Sequence, residues 1–435
     1  MTYSKGLVIL AAGNGKRLQQ EIPKPLTPFF GRPLITHILD KIPGGIPIYI
    51  IINPKHQLLY QSIIKQPVHY LFQSKPEGTA HAIQCTYQHY KALDSVLVLC
   101  ADTPLLPKNL IVSLLNSDPR NQLVAFSPED PSQYGLINVS NGLATQIYES
   151  ADHHAIQTSL AYSGLMEIDN KTLGVISNIN ACKATNEYHL TKIISSDRPF
   201  HIVEHDYPAY LFSGINTPMQ LHTLESKHKE HMKNLLKENL MDPDSNLIDG
   251  LTTVDKHTYI EPNVILRGTN KIGAHCTIGS GSVIENAHIE DFVTIKPFSV
   301  ISNSSIQSHC QIGPFAHIQE QSIIGPHSHI GNFVEVKRSV IGDNNKAKHL
   351  CYLGDTKTGS AVNIGAGVIT CNFSPFKKGK KTTYISTNAF IGANATLIAP
   401  ISIGQQAVVG AGTTLTKSVL EHKVVFNPLS LTEKD

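Results

Sequence analysis

The stretch Ile312-Gly313-Pro314-Phe315-Ala316-His317-Ile318-Gln319-Glu320-Gln321-Ser322-Ile323-Ile324-Gly325-Pro326-His327-Ser328-His329-Ile330-Gly331-Asn332-Phe333-Val334-Glu335-Val336 puts an aliphatic residue at every sixth position. The beat Ile312, Ile318, Ile324, Ile330, Val336 continues in both directions. Upstream, Ile272, Ile278 and Ile284 share one phase and Ile295 and Ile301 another; downstream come Ile385, Ile391, Leu397, Ile403, Val409 and Leu415. Neither an α-helix nor an ordinary alternating strand sustains such a period. A parallel β-helix does, with one flat side per hexad and one coil per three hexads. This reading predicts aliphatics stacked inside and small residues turning the corners. Two segments depart from the beat: GDNNKAKHLCYLGDTKTGSAVN over 342–363 and CNFSPFKKGKKTT over 371–383, the second with four lysines. Loops expelled from a regular solenoid are where its function is expected.

The first half has a different rhythm. Short apolar runs at Leu7–Leu10, Ile48–Ile52, Val96–Cys100 and Leu123–Phe126 alternate with helix-compatible segments. That alternation predicts crossover units and a mostly parallel sheet covered on both faces, with ligands at the C-terminal strand ends. The first run continues through Ala11-Ala12-Gly13-Asn14-Gly15-Lys16-Arg17-Leu18 and then Pro23-Lys24-Pro25-Leu26. A strand running into a glycine-broken turn followed by cations suits a triphosphate held against backbone N–H groups. A dinucleotide fingerprint is excluded, because its third glycine is Leu18 and Asn53 ends the second strand where an acid is needed. A P-loop is excluded because Arg17 follows Gly15-Lys16. Between the halves, a charged helix over about 218–240 reads as a connector, with His228 and His231 on a solvated face. The predicted divisions are 1–217, a helical linker over 218–250, and 251–435.

The 435 residues carry a net charge of +2 with only 16% charged side chains, so no nucleic-acid stripe or acidic partner is implied. No apolar run is long enough to span a bilayer. The seven cysteines are odd in number, irregularly spaced and without a Cys-x-x-Cys, which reads as reduced thiols in a cytoplasmic protein.

LAAGNGKRL, PKPL, Gln73 with Glu77-Gly78-Thr79-Ala80-His81-Ala82, and the strand end at Asp102, followed by hexapeptide repeats, resemble one family. It is the bifunctional N-acetylglucosamine-1-phosphate uridylyltransferase/glucosamine-1-phosphate N-acetyltransferase family. IGPFA, HIGNFVEVK, AKHLCYLGD and NIGAGVITCNF are the most specific matches in the second half. The resemblance implies a Rossmann-like α/β nucleotidyltransferase followed by a left-handed parallel β-helix. It implies UTP, an amino-sugar 1-phosphate and acetyl-CoA as substrates, Mg²⁺ as cofactor, and a homotrimer with acetyl-transfer sites between subunits. For the first domain it implies that Arg17 and Lys24 hold the triphosphate, that Leu10, Ala11, Ala12 and Gly13 line the nucleotide, and that Gln73, Gly78 and Thr79 read the uracil. Asp102 and Asn216 match the Mg²⁺ ligands, and Gly135 and Glu149 match sugar-binding positions. For the second domain it implies His349 as general base, Lys337, Tyr352 and Asn363 as sugar-phosphate contacts, and Ala366, Asn372, Phe373, Ala393 and Ala411 along acetyl-CoA.

Several positions differ from the family pattern. Cys100-Ala101 precede Asp102 where the family has Tyr-Gly, and Tyr162 replaces an asparagine at the acetamido group. Gln319 replaces an arginine that grips the sugar phosphate, and an amide cannot reproduce a bidentate guanidinium–phosphate pair. Ala393 stands at a serine position, and a coenzyme-binding arginine falls near Asn427-Pro428. These differences raise three alternatives: a phosphate grip supplied instead by lysines at 377–381, a β-helix kept only as a trimerisation platform beside an active uridylyltransferase, and, from Tyr162 and Cys100-Ala101, a paralogue using another sugar phosphate or nucleotide.

Overall fold

The computed structural model describes residues 4–13, 22–149, 158–182, 186–375 and 378–427. The chain divides into two compact units, 1–227 and 228–435.

The first unit is built on one nine-stranded sheet. Its strands are β1 (Lys5–Leu10), β2 (Ile48–Ile52), β3 (His69–Phe72), β4 (Ser95–Cys100), β5 (Gln122–Phe126), β6 (Leu136–Ser140), β7 (Leu143–Tyr148), β8 (Ala161–Asp169) and β9 (Phe200–Val203). They lie in the order β3-β2-β1-β4-β8-β5-β9-β7-β6. β1 pairs parallel with both β2 and β4, as three of the four apolar runs imply. β2 also pairs parallel with β3, which no apolar run marked, and the fourth run, β5, pairs parallel with β9. β8 enters antiparallel between β4 and β5, which the sequence reading did not anticipate. The interior strands β1, β4 and β5 are buried along almost their whole length because helices cover both faces. Four of those helices are α1 (Leu34–Leu39), α2 (Gln57–Ile63), α3 (Thr79–Thr86) and α4 (Lys108–Asn116). The chain leaves β1 toward β2 on one side and meets β4 on the other, so a crevice opens at the C-terminal ends of β1 and β4.

The second unit is a parallel β-helix, and its inward column can be read residue by residue. Ile260, Ile278, Ile295, Ile312, Ile330, Ala347, Ile364, Ile391, Val409 and Val425 are paired in register from coil to coil. The members from Ile260 to Val409 are all buried. Three expectations need correction here. Residues 342–363 are not expelled from the solenoid: Ala347 and Leu353 take aliphatic positions, pairing with Ile330 and Val336. An alanine hid the beat from the sequence. The excursion is at 371–383, where the strands Ile369–Cys371 and Thr383–Ile385 flank the lysine-rich segment.

Small residues turn some corners, as at Gly268, Gly281, Gly367 and Gly412, but not the whole of any column, and one column runs largely in rings. His257, His275, Phe292, His309 and His327 all take positive φ, between 56° and 60°. Such backbone costs about 1–2 kcal/mol for a non-glycine residue. Here the corner rings stack on one another, with successive centroids 5.0, 4.9, 4.8 and 4.7 Å apart. Repetition makes each coil supply the packing partner of the next. Finally, α5 (Pro218–Leu235) is more than a connector. Met232, Leu236 and the nearby Leu240 are buried in the same apolar cluster as Ile248, Ile260 and Leu266, closing the first coil of the solenoid. His228 is buried rather than on a solvated face.

Candidate functional site

The crevice at the ends of β1 and β4 is a cavity of about 500 Å³, a size suited to a nucleotide. It is lined by Leu10, Ala11, Ala12, Gly13, Lys24, Gln73, Gly78, Thr79, Cys100, Ala101 and Asp102, all of them singled out in the sequence. The backbone ties the two strand ends together: Ala101 N–H donates to the Leu10 carbonyl at 3.1 Å, and Ala11 N–H to that of Ile51 at 2.9 Å. Pro76, Glu187 and His189 also line it. Arg17 lies outside the described residues.

Gly78 shows why one wall has its shape. It caps α3 at φ 119°, and a Cβ there would lie 2.5 Å from the Tyr188 carbonyl oxygen. Only glycine lets the 187–190 segment pack so closely, with Tyr188 N–H donating to the Glu77 carbonyl and Ala80 N–H to that of Tyr188. Gln73 is buried on this wall; its amide donates to the Gly78 carbonyl at 3.0 Å. The Thr79 hydroxyl oxygen accepts the Leu190 N–H at 2.9 Å.

Opposite, Lys24 joins residues far apart in the chain. Its Nζ donates to Asn216 Oδ1 at 2.7 Å and, in a short contact, to Asp102 Oδ2. The backbone fixes the pair as well, since Ile215 N–H donates to the Asp102 carbonyl at 3.0 Å. Among the described residues no cluster of three or more His, Cys, Asp or Glu side chains is placed to hold a metal ion. What converges is two hard oxygens bridged by an ammonium.

A second group adjoins Cys100. Tyr162 N–H donates to the Gly135 carbonyl at 2.9 Å, and the Glu149 carboxylate accepts the Thr191 hydroxyl at 2.6 Å. Gly135 has Ile147 and the Glu149 carboxylate about its Cα, within 2.8 and 3.7 Å of where a Cβ would stand. Burial, reinforced by Asp102, pushes the Cys100 thiol up to about 12. Burial also raises the Tyr162 phenol, with Cys100 and Glu149 adding to it. Both therefore remain neutral at physiological pH.

On the β-helix, the expected residues fall on successive coils of two faces. His349 lies in register with Asn332, whose Oδ1 is 3.0 Å from His349 Nδ1. An amide oxygen only accepts, so the contact is a hydrogen bond in the tautomer that carries its proton on Nδ1, which leaves Nε2 as the acceptor. The sequence reading missed Asn332. On the neighbouring face Gln319, Lys337 and Gly354 are paired coil to coil, beside Glu335 and Tyr352. Gln319 donates to Glu335 at 2.8 Å, and Lys337 is 2.7 Å from Glu320. Arg338 donates to both Asp355 oxygens at 2.8 and 3.0 Å. Asn372 bonds Asp355 and lies 3.3 Å from the Tyr352 hydroxyl, so it joins the expected sugar contacts. Ala366, Ala393 and Ala411 each sit two residues beyond the stacked Ile364, Ile391 and Val409, and form a methyl-lined column. Phe373 is exposed, with Lys380 Nζ 4.7 Å from its ring centroid.

Residues 7–166 match the family model of the MobA-like NTP transferase domain, 244–349 that of the GMPPB C-terminal domain, and 384–417 that of the hexapeptide repeat of succinyl-transferase. The chain is 38% identical to the bifunctional protein GlmU of Wigglesworthia glossinidia brevipalpis over 433 residues, covering 95% of this chain and 93% of the relative. It is 36% identical to the protein of that name from Thermodesulfovibrio yellowstonii, covering 97% and 96%. To that of Pseudoalteromonas atlantica it is 32% identical, covering 97% and 95%.

Proposed function

The chain belongs to the family of the bifunctional protein GlmU, and from that premise we propose two transferase sites, one in each unit. The first transfers a uridylyl group from UTP to N-acetylglucosamine 1-phosphate. The sugar phosphate oxygen forms a bond to the α-phosphorus, and the bond to the pyrophosphate oxygen breaks in line. Such chemistry needs positioning and charge neutralisation more than covalent help. The observation that carries this reading is the convergence of Lys24, Asp102 and Asn216 at the mouth of a nucleotide-sized cavity.

Asp102 and Asn216 fit Mg²⁺, a hard ion that takes few protein ligands and completes its shell with phosphate and water oxygens. When bound, Mg²⁺ would supply further neutralisation of the triphosphate. Lys24 Nζ occupies the same two oxygens, so it is placed to turn to the α-phosphate as they are claimed. Arg17 would add the second cation. Gln73, Gly78 and Thr79 read the base, and Gly135, Glu149 and Tyr162 face the sugar. Incubation with UTP, Mg²⁺ and N-acetylglucosamine 1-phosphate releases pyrophosphate on this account; no release with any amino-sugar phosphate refutes it.

In the second unit, acetyl-CoA donates its acetyl group to glucosamine 1-phosphate. The amine attacks the thioester carbonyl, His349 Nε2 takes the amine proton, and the coenzyme thiolate leaves. The alanine column of 366, 393 and 411 suits the slender arm of the coenzyme, with Phe373 beside it. A homotrimer is supported by Phe298, Phe315 and Phe333, which stack 5.3 and 5.4 Å apart on the surface of a single chain, continued by exposed Leu350. Native mass measurement tests it. One observation favours a narrower second reading, in which the β-helix only assembles the protein: Gln319 and Lys337 are already engaged by carboxylates. Release of free thiol from acetyl-CoA, abolished by His349→Ala, decides against that narrower reading.

A further inference from the structure

The two faces of the β-helix around His349 differ in charge compensation. On the Gln319 face, Lys337 is held by Glu320, and Arg338 by both Glu320 and Asp355. Glu335 adds a third carboxylate, bonded to Gln319. A phosphate arriving there meets cations that already have partners.

The other face carries cations without partners. Ile295, Ile312, Ile330 and Ala347 form one inward column, so the residues flanking them point outward. His329 is paired with Lys346, and Lys346 with Asn363. Lys348 lies between Ala347 and His349 on the same strand. Lys296 lies in the same column as Lys348, separated from it only by Gly313 and Gly331, which place no side chain between the two stems. Among the described residues none of these three lysines forms an ion pair. Their fields converge: the His329 imidazole is held below its ordinary pKa, first by burial and then by Lys348, Lys296, His349 and Lys346.

We propose that Lys346 and Lys348, with Lys296, form an anion-binding platform that takes a phosphate group of a ligand presented to His349. This rests on the acetyl-transfer reading of the second unit and moves its phosphate grip away from Gln319 and Lys337. Phosphate esters of the sugar and of the coenzyme share this chemistry, and the test separates them. Acetyl transfer is followed with UTP omitted, and KM is measured for glucosamine 1-phosphate and for acetyl-CoA. K346A/K348A raises one of these constants by about tenfold or more, as loss of charge-assisted bonds requires, and by more than K337A does. K346R/K348R restores it. The constant that moves identifies whose phosphate is bound. Unchanged constants in K346A/K348A, or a larger effect of K337A, overturn the platform. Calorimetric titration of glucosamine 1-phosphate and of coenzyme A, with the first unit saturated by UDP-N-acetylglucosamine, gives a readout independent of turnover. Binding weakened in K346A/K348A without thiol release in the wild type keeps the platform and refutes acetyl transfer; equal affinity in both proteins refutes the platform.

Discussion

The two units bury different things. The core of the first holds the ion pair Lys5–Glu167, at 2.6 Å with both side chains almost wholly buried, and the imidazole of His37. Among the described residues of the β-helix no Asp, Glu, Lys or Arg is buried; its interior polar groups are Ser, Thr and Asn, several of which bond the turns of adjacent coils. The candidate site of the first unit is concave and gathered from distant segments, whereas the candidate residues of the second spread over open faces. An irregular fold concentrates dependence in single residues. A repeat distributes it.

Mutations sharpen that contrast, beginning with the largest effect. Glu167 accepts from Lys5, Ser95 at 2.6 Å and Gln122 at 2.6 Å, so every partner is satisfied. Glu167→Ala leaves an uncompensated buried ammonium and should cost about 3–5 kcal/mol in denaturant unfolding of the first unit, leaving the β-helix transition in place. A cost below 1 kcal/mol removes the distinction.

A pH titration comes next. The His37 ring nitrogen Nε2 meets the Phe29 carbonyl at 2.7 Å, while buried Nδ1 has no hydrogen-bond partner. Burial lowers its pKa to about 4, from 6.5. The unfolded chain therefore binds the proton first, and stability present above pH 6.5 is lost as pH falls toward 4. The loss is on the order of 3 kcal/mol. His37→Gln should flatten that part of the curve for the first unit, and an unchanged curve would contradict the assignment. The smallest effect is expected at Asn332. Asn332→Ala frees the His349 ring and should lower acetyl transfer by about tenfold, with Asn332→Asp retaining more activity.

Legibility followed the same division. The period of six exposed the β-helix directly, because each aliphatic is forced inward by the same geometry. It failed at Ala347, where a small side chain fills the column, and at the corners from His257 to His327, where stacked rings stand in place of the expected small residues. In the first unit the strands buried on both faces read as continuous apolar runs. The exposed β3 and the antiparallel β6, β7 and β8 lack that signal. The pocket lining was legible through the family motifs. The contacts of Tyr188, Asn332 and Glu320 were not, since backbone approach and cross-coil pairing leave no mark on residue type.

The most direct test of two separate sites is a paired assay of pyrophosphate release and thiol release on one preparation of the full chain, with Lys24→Ala and His349→Ala alongside. Lys24→Ala should lower pyrophosphate release by about 10³-fold and spare thiol release, and His349→Ala should do the reverse. Pyrophosphate release that survives Lys24→Ala unchanged, or one substitution that abolishes both activities in a folded protein, would contradict the account.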